Sequence, residues 1–149
     1  MLYPLTSLFR EGKEALTEVT DLRIRIEKAT KDIAENYANA LKNVGKLKEK
    51  MSLLEAQVGN NNGVEAKCSD SLNSAIQSLD KLTDSQILRS KKAWKKYKNL
   101  EHDCKQHGLD LSQFGELRAS CEKTEKLAAD LLCYSMGHLR QRESQSLIL

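Results

Sequence analysis

Pro4 is the only proline in this chain of 149 residues, and aromatic residues fill only 5% of its positions. Proline removes a backbone donor and interrupts helices and central strands. Its absence after the fourth residue leaves room for long uninterrupted helices. A compact sheet protein would show more aromatic and β-branched residues and more turns. No apolar run reaches the roughly 18 residues that a membrane span needs. The opening "MLYPLTSLFREG" has no basic stretch followed by an apolar one, so no secretory signal is expected. Cys-x-x-Cys pairs are missing among Cys68, Cys104, Cys121 and Cys133. Two readings of these thiols follow: reduced, half-buried side chains in a cytosolic protein, or two disulfides in a secreted bundle.

The catalytic vocabulary is also thin. There is no Gly-rich phosphate loop, no Gly-x-Ser-x-Gly and no His-Glu-x-x-His. His102, Cys104 and His107 could be joined into a metal site, but their spacing matches no common zinc framework. Acidic residues are scattered at helical spacings beside bases, as Asp21 is near Arg25, and such pairs make solvated faces. Catalysis needs convergent groups in a pocket, so neither an enzyme nor a cofactor is expected.

What is present is charge and helical period. Charged residues are 30% of the chain, with 24 Lys+Arg against 21 Asp+Glu. A net charge of +3 is too mild to mark a nucleic-acid binder. Val19, Leu22, Ile26, Ala29, Ile33, Tyr37, Ala40, Val44, Leu47, Met51, Leu54 and Val58 recur at steps of three and four, the stripe of a helix packed on helices. Leu16, Gly12, Phe9 and Leu5 extend it backward, and Gly12 is a candidate break between a short leading helix and the long one. The steps across Ala29, Ile33 and Tyr37 are four and four, a stutter that predicts a local change in curvature.

"GNNNG" at Gly59–Gly63 and "HGLDLSQFG" at His107–Gly115 read as loops. Between them a thinner, more polar stripe runs through Leu72, Ile76, Leu79, Leu82, Gln86, Ser90, Ala93, Tyr97, Leu100 and Cys104. A third stripe runs through Phe114, Leu117, Cys121, Thr124, Ala128, Leu131, Ser135 and His138, widened by Leu127, Leu132 and Tyr134. The expected fold is all-α, one domain over 1–149: three long antiparallel helices over about 5–58, 64–106 and 112–146 in an elongated bundle or coiled coil. Leu147, Ile148 and Leu149 end the chain on an apolar tip.

The positive charge is concentrated. Residues 59–108 carry 9 basic and 6 acidic side chains, and Arg89, Lys91, Lys92, Lys95, Lys96 and Lys98 lie in ten positions without an acid. At 100° per residue, Lys91, Lys95 and Lys98 share one side, with Lys92 and Lys96 beside them. Trp94 falls at the stripe's edge, where an indole can bury its ring and keep its N–H wet. A second set, Lys42, Lys46, Lys48 and Lys50, ends the first helix. These residues are either a solvated face with snorkelling stems or a surface for an anionic partner.

The stretch "LRIRIEKATKDIAENYANALKNVGKLKEK", Leu22 to Lys50, resembles the first long helix of the BAR superfamily, especially F-BAR domains. The likeness rests on Arg25, Ile26 and Glu27, on Tyr37, Ala38 and Leu41, and on the basic Lys46 and Lys48. "AWKKYKNLEHDCKQ" is similar to basic, Cys-containing parts of a later helix of that family. The resemblance implies an antiparallel homodimer of kinked helices whose basic face binds anionic, curved membrane. It leads to the expectation of a non-enzymatic, cytoplasmic, peripheral membrane-binding and membrane-shaping protein. Its rivals are a helical scaffold that binds a partner protein without lipid contact and a secreted helical bundle that binds a receptor.

Overall fold

A computed structural model describes residues 3–60 and 65–148, with side chains over 10, 12–57, 69–112 and 114–138. The expectations for Leu5, Phe9, Val58, Asn61–Gly63, Cys68 and the Leu147–Leu149 tip therefore lie outside the described side chains. Three helices make up the fold: α1 Tyr3–Asn60, α2 Glu65–Gln106 and α3 Gly115–Ile148, with a 3₁₀ turn at Leu111–Phe114. No strand occurs among the described residues. The 58 residues of α1 make a rod roughly 85–90 Å long. It runs unbroken through Gly12, so that glycine does not separate a leading helix. A single glycine costs a helix only about 1 kcal/mol, which the long hydrogen-bond ladder on both sides absorbs.

The chain goes up, down and up. Arg25 of α1 meets Asp103 of α2 at 3.0 Å, so these two helices are antiparallel. Lys48 and Glu55 of α1 meet Tyr134 and His138 of α3 in ascending order, so α1 and α3 are parallel. The α2–α3 junction is built by local chemistry. Gly108 takes φ 68°, which an L side chain rarely adopts. It closes α2 with two bonds, Gly108 N–H to Lys105 C=O at 3.2 Å and Leu109 N–H to Cys104 C=O at 2.8 Å. Asp110 then caps the 3₁₀ turn by accepting from the Ser112 N–H at 3.0 Å.

The core is two clusters with a polar waist. One joins Leu22, Ile26, Ala29 and Ile33 to Ala93, Leu100, Cys104, Leu111, Leu117 and Cys121. The other joins Ala40, Val44 and Met51 to Ala75, Ile76, Leu79, Leu127 and Leu131. Each fully buried Ile or Leu in them contributes about 1.5–3 kcal/mol. The buried polar side chains Thr83, Gln86, Ser90 and Thr124 lie between the two clusters in sequence on α2 and α3. On α1 the boundary falls between Ile33 and Tyr37, inside the stutter of the sequence pattern.

The predicted stripes are buried or half-buried among the described side chains, except that Gly12, Leu16 and Leu132 are exposed. Leu16 is 66% exposed, because α1 outruns the α2–α3 loop, whose His107 reaches only to Glu18 at 3.5 Å. Leu132 is 44% exposed, since α3 turns it to the flank while Leu127, Ala128 and Leu131 face inward. The α1 stripe from Leu22 to Met51 is used within the chain, packed on α2 and α3.

Candidate anionic-surface site on helix α2

The ten residues from Arg89 to Lys98 sit in the C-terminal half of α2, from the polar waist at Ser90 onto the first core cluster at Ala93, Trp94 and Tyr97. Ser90 and Ala93 are buried and Tyr97 is half-buried, which holds the helix in one azimuth. The six cations Arg89, Lys91, Lys92, Lys95, Lys96 and Lys98 are all exposed. Among the described residues none of them forms an ion pair. They divide between two grooves. Lys91, Lys95 and Lys98 flank a groove of about 500 Å³ between α2 and α3, floored by Ile87, Trp94 and Ala128. Arg89, Lys92 and Lys96 flank a smaller pocket of about 160 Å³ between α1 and α2, to which α3 contributes Thr124. Each recess holds a single carboxylate, Glu125 in the first and Asp32 in the second. Leu88, 54% exposed, stands on the same outer surface, three, four and seven residues before Lys91, Lys92 and Lys95.

Trp94 and Tyr97 anchor this face from below. Their rings meet edge to face at 5.5 Å and 72°, and both pack on the first core cluster. The indole N–H differs from expectation: Nε1 is buried and has no hydrogen-bond partner, so it is not kept in water. Gln86 Oε1 is the second such atom, on a side chain only 1% exposed. A buried polar atom left unpaired costs about 1–3 kcal/mol, and for Trp94 the packing of its ring on Tyr97 and the first core cluster offsets that cost.

The second lysine set is arranged otherwise. Lys42, Lys46 and Lys50 are exposed on the outer side of α1. Lys48 turns toward α3 and stacks over the Tyr134 ring at 4.6 Å. Tyr134 also meets His138 edge to face at 4.6 Å, and His138 lies 3.9 Å from Glu55. The Tyr134 hydroxyl is pushed above its ordinary value, first by burial and then by the Glu55 charge. Lys48 is thus a packing element between α1 and α3. The Arg25–Asp103 register sets Lys46 level with residues near 82 of α2, roughly 20 Å along the bundle from Lys95. The fold does not bring the two sets together.

The other singled-out residues have structural partners. Arg25 pairs with Asp103 across helices rather than with Asp21 along its own. His102 bonds Gln106 at 3.1 Å, His107 faces Glu18, and Cys104 is buried in the core, so the three do not converge. Among the described residues no group of three or more His, Cys, Asp or Glu is placed to hold a metal ion. Cys104, Cys121 and Cys133 are free thiols. Burial pushes Cys121 up to about 11, helped by Glu122 and Glu125, and raises Cys104 as well. Both are poor nucleophiles in the folded chain. A hollow of about 610 Å³ beside Ile26 and Leu117 carries Glu27, Lys31 and Glu116 in mixed charge. No helix among the described residues is long and apolar enough to cross a membrane.

Sequence reasoning found the cations and missed their division between two grooves. It also placed Gln86 and Ser90 on the buried stripe without assigning either a role. The polar character of that stripe between Leu82 and Ala93 was the available signal. No family model, curated protein or solved structure matches this chain.

Proposed function

We propose that this chain is a non-enzymatic, peripheral binder of anionic membrane that works through the outer face of α2. The observation that carries the reading is the run of six exposed, unpaired cations from Arg89 to Lys98. Lys105, farther along the same helix, is by contrast matched by Glu101 at 3.2 Å. Here the bundle holds the helix rigidly from behind and leaves the charges to solvent. Each lysine near an anionic bilayer contributes about 1 kcal/mol, so five or six together give a dissociation constant on the order of 0.1 mM. Leu88 adds an apolar contact within the same face.

The F-BAR-like reading further proposes two copies associated along α1 into a membrane-shaping body. Its support is the part of α1 that outruns the bundle and exposes Leu16. A second reading, a scaffold for a helical partner protein, is favoured by a different surface. Leu132 and Met136, 44% and 49% exposed, form an apolar flank on α3.

Co-sedimentation with anionic and with neutral vesicles, each at low and high salt, separates the readings. The expected result is binding to anionic vesicles only, weakened by salt, because exposed charges are screened within about 8–10 Å. Salt-insensitive binding, or none, refutes lipid attraction and leaves the scaffold reading.

A further inference from the structure

The pocket between α1 and α2 has more than a charged rim. Its lining includes Gln86, which is 1% exposed and whose Oε1 has no hydrogen-bond partner. Asn36 contributes a second carboxamide from α1. Around them stand Arg89, Lys92 and Lys96, with Asp32 as the one acid. Three positive charges less one negative leave the recess with +2. A volume of about 160 Å³ has room for roughly five waters, or one tetrahedral anion of phosphate size.

These features go together chemically. A carboxamide offers two N–H donors at one end and an acceptor at the other. Its terminal torsion is broad and two-fold, so either end of Gln86 can be turned toward the pocket. The buried Gln86 Oε1 has no partner, so the carboxamide is not satisfied by the residues around it. It gains a partner if an oxyanion or a P–OH group enters. The ligand charge is set by the same residues. A phosphomonoester carries about −1.5 to −2 and three free oxygens near pH 7, which matches a recess of +2 with two amides. A phosphodiester carries one charge and two free oxygens, and leaves the pocket half satisfied.

We infer that the α1–α2 pocket is a phosphomonoester site, in which Gln86 and Asn36 read the phosphate oxygens and Arg89, Lys92 and Lys96 neutralise them. The inference rests on the membrane-binding reading for its lipid form and not for its chemistry. The terminal phosphate belongs either to a lipid headgroup or to a small soluble molecule.

Two vesicle types matched in surface potential test it, one carrying phosphatidic acid (a monoester) and one phosphatidylserine (a diester). The parent chain is expected to bind the phosphatidic acid vesicles about tenfold more tightly, the equivalent of one missing partner at a polar site. Gln86→Leu should lose that preference while still binding both, and should unfold at the same temperature as the parent or higher. Asn36→Ala, at an exposed position, gives the same loss of preference if Gln86→Leu does not fold. Glycerol 3-phosphate that binds by calorimetry without vesicles assigns the site to a soluble monoester. Phosphatidic acid binding that glycerol 3-phosphate does not compete assigns it to lipid. Equal binding of the parent to both vesicle types, with no calorimetric signal, overturns the pocket and leaves the basic face standing. The absence of binding to any vesicle, together with no glycerol 3-phosphate signal, overturns both.

Discussion

Six cations on α2 are spread over the outer half of one helix, flank two grooves and remain unpaired. Four lysines on α1 divide three and one: Lys42, Lys46 and Lys50 are exposed, and Lys48 is held over Tyr134. The α2 set is the denser, six cations in ten residues without an acid against four in nine residues that include Glu49. The two sets also differ in what stands behind them. Behind the α2 set lie the polar waist and the Trp94–Tyr97 pair, which fix the helix and leave recesses beside the charges. The α1 set includes Lys48, which is turned onto the Tyr134 ring of α3. The contrast teaches that a basic run is the stronger candidate site where the core shapes a receiving surface beside it.

Charge reversal breaks the contrast most strongly. Lys92, Lys95 and Lys96 changed together to Glu should weaken binding to anionic vesicles roughly a hundredfold, at about 1 kcal/mol per lost attraction. Thermal unfolding should hardly move, because exposed lysines contribute little to stability. Undiminished binding would return the α2 set to the status of a wet helix face. Trp94→Ala probes the support instead of the charge. Partial burial and the edge-to-face contact with Tyr97 predict a loss of about 1–3 kcal/mol in urea unfolding, less than for a fully buried indole. Binding measured well below the unfolding midpoint should stay within a few-fold of the parent. A large binding loss in a fully folded variant would place Trp94 in the interface itself.

Smaller effects sharpen the comparison on α1. Lys42, Lys46 and Lys50 reversed to Glu should change vesicle binding by less than about fivefold, under the worth of one contacting lysine. These residues lie roughly 20 Å along the bundle and on a different helix. An effect as large as that of the α2 variant would mean that one surface engages both sets, as an extended partner would. The smallest change expected is Lys48→Ala, a loss of about 0.5–1 kcal/mol in stability from the cation–π contact and none in binding. Equilibrium unfolding of this variant beside Lys46→Ala isolates the contact.

Much of the architecture was legible in order along the chain. The three- and four-residue steps identify three helices and nearly every buried position, because side-chain azimuth within a helix is a local property set by 3.6 residues per turn. The Gly108 turn was legible for the same reason: only a local backbone requirement is involved. The candidate site was legible only as charge. A linear pattern locates Arg89 to Lys98 on the outside of α2, but the grooves beside them exist only once α1 and α3 arrive.

By itself, then, the sequence determined the helices, their inward stripes and the acid-free run on α2, since each depends on neighbours within a few turns. Tertiary structure decided what depends on register between helices. It paired Arg25 with Asp103 instead of Asp21, turned Lys48 onto Tyr134, left Leu16 and Leu132 in solvent, and enclosed the Trp94 N–H. It also set Gln86 in the wall of a pocket ringed by Arg89, Lys92 and Lys96. Periodicity fixes the direction in which a side chain leaves its own helix. Which residue of another helix it meets depends on axial offset, and that offset is set by packing both core clusters at once.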